Sequence, residues 1–140
     1  MRSFVVAVAS LLVIAAMPAH AGGPASAGVA IGFARVNLDD GTVTAFGGKG
    51  TQEVTTGPTS TGVIVFFNGK YPKDLAREMV VAHATPEATE DQQFAVANAI
   101  VVSASKAQVS VLVNAWKSST LETAAGNVFV ILYAAVEPKD

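Results

Sequence analysis

From Val29 onward, apolar residues come in short runs separated by Gly, Pro, Asp and Asn. Most runs alternate or are rich in β-branched side chains, as strands require. Val29 to Val36 sets large residues (Val29, Ile31, Phe33) against small ones (Ala30, Gly32, Ala34). Asp39-Asp40-Gly41 then offers a turn residue tolerant of positive φ, and Thr42 to Phe46 reads as the returning partner of a hairpin. Thr51 to Thr56 is polar and suits a short edge strand. Gly62 to Asn68 is apolar on both alternations, Val63, Val65 and Phe67 against Ile64 and Phe66, so a central strand is expected. Tyr71 to Arg77 is a connection with room for one helical turn. Strands are expected again over Glu78 to Thr85, Phe94 to Ser103, Gln108 to Trp116 and Asn127 to Val136, the last being the most hydrophobic and therefore central. A helix over Val96 to Val113 is disfavoured by its valines, which lose side-chain freedom in helices. The expected fold is all-β: an antiparallel two-sheet sandwich or jelly roll of about seven to eight strands, one domain over residues 29–136.

The N-terminal run has a different character. Residues 1–21 carry one positive residue, Arg2, an apolar stretch from Phe4 to Ala16, Pro18, and small residues at Ala19 and Ala21. This is the layout of a secretory signal peptide cleaved after Ala21, and the stretch is shorter than the ~20 residues of a membrane-spanning helix. Residues 22–28 read as a flexible leader. The expected location is secreted or periplasmic, with no membrane span after cleavage. The 140-residue chain has no Cys, so a lipid-modified N-terminal cysteine and disulfides are both excluded, and stability must come from the core or from assembly. Nine basic against eleven acidic residues give a formal charge of -2, with no basic cluster to attract nucleic acid.

The segment Ala34-Arg35-Val36-Asn37 through Asp40-Gly41-Thr42-Val43, the strand Gly62 to Phe67 and the closing Val128-Phe129-Val130-Ile131 together resemble a class of uncharacterised small secreted bacterial β-sandwich proteins. In that class an A-x-V-N-x-D-G-T-V hairpin opens the domain, a G-x-Y-x-V-x-F strand follows and an F-x-V-x-V strand closes it. This chain departs by Ile64 in place of an aromatic, by an extra Asp in the turn and by Asn127 ahead of the closing Phe129. The resemblance implies fold and export, and no activity.

Composition and spacing point to no reaction. With His20 in the signal peptide, His83 is the one remaining histidine; tetrahedral zinc would need further His or Cys ligands that the mature chain lacks, and a Ser-His-Asp triad would have to use His83 with no Gly-x-Ser-x-Gly to mark its nucleophile. The carboxylates, Asp39 to Glu122, fall in loops or at strand ends, where solvated side chains are the simpler reading than a hydrolytic pair. Glu87, Glu90 and Asp91 gather three oxygen donors on one loop and are the candidate metal ligands, although without EF-hand spacing. Gly47-Gly48-Lys49-Gly50-Thr51 lacks the upstream glycine of a phosphate-binding loop and reads as a turn. Trp116 either closes one end of the core or stands exposed as a sugar-stacking platform with Tyr71 or Tyr133; these three are the candidate ligand contacts. The expectation is an exported, non-enzymatic protein with a binding or structural role and no cofactor, acting alone or as a homo-oligomer. A carbohydrate-binding module using exposed aromatics is the alternative.

Overall fold

A computed structural model describes residues 28–87, 95–117 and 126–135. The expected signal peptide (1–21), all of the leader except Gly28, and both Glu90 and Asp91 lie outside these residues.

Eight strands follow one another: β1 (Val29–Asn37), β2 (Val43–Gly47), β3 (Thr51–Pro58), β4 (Val63–Gly69), β5 (Val80–Pro86), β6 (Ala95–Ala104), β7 (Gln108–Lys117) and β8 (Asn127–Ala134). They form two four-stranded sheets, ordered β2-β1-β8-β5 (sheet A) and β3-β4-β7-β6 (sheet B), with every pairing antiparallel. The architecture is the expected two-sheet sandwich. Both strands expected to be central are central: β4 lies between β3 and β7, and β8 between β1 and β5. At the margins β5 runs beside β6 and β2 beside β3, so the two sheets approach each other along both edges.

Strand alternation decides what each sheet turns inward. From sheet B, Val63, Val65 and Phe67 of β4 and Val109, Val111 and Val113 of β7 are buried. Sheet A answers with Ala34 and Val36 of β1 and Val128, Val130 and Leu132 of β8. It is the small series of β1 that faces the core. A Cβ on Gly32 would come within 3.1 Å of the Phe67 ring, so the largest fully buried side chain is accommodated where the opposite sheet has none. A register shift between Ala30 and Gly32 makes Ile31 the extra residue of a bulge, and its side chain is buried too.

The opening hairpin is held by its own side chains. Asn37 Oδ1 accepts from the Asp39 N–H at 2.8 Å, and Asp40 Oδ1 accepts from the Thr42 N–H at 2.8 Å. Hydrogen bonding to the Thr42 side chain, followed by its backbone N–H, lowers the Asp40 carboxyl below its ordinary pKa. Gly41 sits at φ 74°, as the turn reading required.

The connection after β4 includes one 3-10 turn, Arg77–Met79, and folds beneath one end of the sandwich. Tyr71 and Leu75 are buried there. The Thr51 hydroxyl lies 2.9 Å from both the Ile31 carbonyl and the Tyr71 hydroxyl, and the Tyr71 hydroxyl lies 3.3 Å from the Phe67 carbonyl, so the two hydroxyl protons are shared among three contacts. Burial raises the Tyr71 pKa, and the Thr51 contact partly offsets the rise.

Candidate functional site

Because β4 and β8 are apolar on both alternations, filling the core leaves hydrophobic side chains on the outside of both sheets, and Leu112 and Trp116 of β7 add to them on sheet B. On sheet B, Ile64, Leu112 and Ile100 stand in one cross-strand row. Phe66 lies beside it, over Gly57, whose Cβ position is 3.6 Å from the ring. Trp116 and Val96 form a further outward pair. Of the seven large hydrophobics left exposed among the described residues, Val96, Ile100 and Val102 belong to β6. The buried polar residues on the middle of this face, Ser110 and Asn114, both have partners. Ser110, 3% exposed, lies 2.6 Å from the Ser103 hydroxyl, and the buried Asn114 amide, its nitrogen turned toward the Thr61 carbonyl, donates there at 2.9 Å. No buried side-chain polar atom among the described residues lacks a partner. Within the paired strands, the one ionisable residue at an outward position of this face is Glu53, on edge strand β3.

The outer face of sheet A is mixed. Phe33 and Phe129 stack with ring centres 5.7 Å apart, and Phe33 also covers Gly47, whose Cβ position is 2.9 Å from the ring. His83 and Tyr133 meet edge to face at 5.8 Å. Arg35 reaches across the sheet to Glu87, its Nε donating to the two carboxylate oxygens at 3.2 and 3.1 Å and a terminal nitrogen completing a forked contact. Arg35 Nη1 also donates to the Thr44 hydroxyl at 3.0 Å. Hydrogen bonding from Arg35 lowers the Glu87 pKa, and its charge adds to the effect.

A cavity of about 540 Å³ opens at the end of the sandwich where β1 begins and β8 finishes, lined by Val29, Ile31, Leu75, Met79, Ala134 and other residues, with Lys49, Lys70 and Asp74 among its polar lining.

The structure does not bring the candidate aromatics together. Trp116 is half-buried on the outer face of sheet B, so it does not close the core end; the next residue inward is Ala115, because the alternation that buries Val109 to Val113 turns Trp116 outward. Tyr133 is on the outer face of sheet A, on the opposite side of the molecule. Tyr71 is 7% exposed, a core residue rather than part of an exposed platform. Its hydroxyl is occupied by Thr51 and Phe67, and glycine at position 50 leaves room for its ring. Of the candidate metal ligands, Glu87 is engaged by Arg35, while Glu90 and Asp91 lie outside the described residues. Among the described residues no three His, Asp or Glu side chains cluster, and no helix is long and apolar enough to cross a membrane. Sequence reasoning missed the Arg35 to Glu87 pair and the placing of Lys49 and Lys70 on one cavity, since both bring together residues far apart in the chain. The glycines flanking Lys49 were the available signal for the latter.

Comparison with known proteins found no matching family model, no match among curated proteins and no matching solved structure.

Proposed function

We propose that the chain is an exported, non-enzymatic structural protein that assembles with copies of itself through the outer face of sheet B. Export rests on the layout of residues 1–21, and the assembly on the hydrophobic character of that face. The observation that carries it is the three exposed hydrophobics of β6 continuing the Ile64, Leu112 and Trp116 surface with no charge in the middle.

Size favours a second copy as the occupant. The ten residues of β7, nine steps of ~3.4 Å, and four strands at ~4.8 Å spacing give a planar face of roughly 500 Å². Two such faces in contact, with side-chain relief added, approach the ~1,200 Å² at which specific interfaces begin. Charge agrees, because two copies related by a twofold axis would oppose no like charges across the centre of the face. The sheet edge is a poorer route. β6 is bulged between Val101 and Ser103, and Arg77 Nε donates to the Val101 carbonyl at 2.8 Å, occupying a group that an added strand would need.

Light scattering behind size exclusion on the protein and on Leu112→Lys tests this. A dimer or higher closed oligomer is expected, reduced to monomer by the lysine, with Trp116 emission moving to longer wavelength as the face is wetted. A monomer at all concentrations, or a Leu112→Lys variant as assembled as the original, overturns the reading.

A further inference from the structure

The cavity at the end of the sandwich is separate from the sheet B face, and its walls are chemically divided. Its floor is apolar: Val29 and Ile31 from β1, Ala134 from β8, and Leu75 and Met79 from the connection beneath. Its cations are Lys49 and Lys70, separated by 21 positions in sequence and placed side by side by the backbone. The Lys70 N–H donates to the Gly50 carbonyl at 2.8 Å, tying the loop that follows β2 to the end of β4. Lys49 is flanked by Gly48 at φ 119° and Gly50 at φ 103°. A Cβ at Gly48 would fall 2.5 Å from Gly32 Cα, and one at Gly50 would fall 2.7 Å from the Lys70 carbonyl. Glycine is therefore required on both sides of Lys49 for this loop to lie against β1 and against Lys70.

Both lysines are exposed and carry like charge on neighbouring backbone, so an anion between them is favoured by both. The ion pair found among the described residues, Arg35 with Glu87, lies elsewhere. Asp74 also lines the cavity, leaving a rim with one net positive charge. A volume of about 540 Å³ falls within the ~300–1,000 Å³ of small-molecule sites, which are mostly apolar with a few orienting polar groups.

From this arrangement we infer that the cavity binds an amphipathic anion, an aliphatic chain ending in a carboxylate, with the chain against Ile31, Leu75 and Met79 and the carboxylate between Lys49 and Lys70. Inorganic phosphate alone gains nothing from the floor, and an alcohol of equal chain length gains nothing from the lysines.

Calorimetric titration of the purified protein with decanoate below its micelle concentration tests the site, alongside decanol and inorganic phosphate. One decanoate per chain is expected to bind saturably. Decanol and the Lys49→Gln/Lys70→Gln variant with decanoate should each be about tenfold weaker, as two partly exposed ion pairs allow. Phosphate should show no saturable heat. Both lysines are exposed, so the variant's unchanged melting temperature serves as the folding control. No saturable decanoate binding overturns the inference. So does equal binding by the lysine variant or by decanol, which would mean apolar partition, and so does phosphate binding as tight as decanoate. Repeating the titration with Leu112→Lys separates this site from the assembly face, since the inference requires that variant to bind unchanged.

Discussion

Adjacent residues of β4 offer the sharpest test of which face of that strand is inside. Phe67 is fully buried between sheet B, where it pairs with Val54 and Val109, and the Gly32 notch of sheet A. Phe66 is half-buried on the outside, over Gly57. Phe67→Ala removes a buried ring worth ~2–3 kcal/mol in transfer free energy. It also opens a cavity of order 100 Å³, at ~24 cal/mol per Å³ if the walls do not collapse. The walls here are paired strands carrying β-branched valines, which have few alternative rotamers with which to fill the space. A loss of about 3–5 kcal/mol is expected, a large part of the ~5–15 kcal/mol available to a domain. That corresponds to a fall in melting temperature of roughly 10–25 °C. Phe66→Ser should change the stability of the isolated chain by no more than ~1 kcal/mol, chiefly through lost cover of Gly57 and lower strand propensity. The assay is urea unfolding followed by far-UV circular dichroism over a range of protein concentrations, since any assembly makes the midpoint concentration-dependent. At concentrations low enough for the midpoint to be constant, equal losses for the two variants, or a larger loss for Phe66→Ser, would refute the assignment of inner and outer faces.

Two other perturbations follow from local geometry. Glu87 has its pKa lowered in the fold by Arg35, so the stability from this contact is present above the ordinary carboxylate value and is lost as pH falls through the lowered one. Carboxyl NMR titration should give Glu87 a lower midpoint in the protein than in Arg35→Gln, and coincident midpoints would mean that the contact does not hold in solution. Gly48→Ala puts a side chain at φ 119° against Gly32 Cα and should destabilise by at least ~1–3 kcal/mol in thermal unfolding; a neutral result would mean that the loop does not pack on β1.

Much of the fold was legible in advance because strand physics is local. Alternation, β-branched runs and Gly or Asp turns located all eight strands, and the double-sided apolar character of Gly62 to Asn68 and Asn127 to Val136 marked β4 and β8 as central. The hairpin at Asp39 to Gly41 was equally local, since its Asn37 and Asp40 hydrogen bonds span only a few residues.

A strand apolar on both alternations leaves its orientation open, and here the partner sheet settles it. Gly32 in sheet A leaves space for Phe67 and not for Phe66, and the same alternation in β7 turns Ala115 in and Trp116 out. Tyr71 reads as one of three candidate surface aromatics until the connection after β4 folds under the sandwich and Thr51 takes its hydroxyl. The two lysines of the cavity and the Arg35 to Glu87 pair likewise come together only once distant strands are joined. What the sequence determined by itself was therefore what neighbours in the chain fix: the strands, their turns and the apolar excess. The tertiary structure alone decided which apolar face is buried and which charged side chains meet, because packing between sheets and contact across the chain depend on strand order and register, which periodicity does not encode.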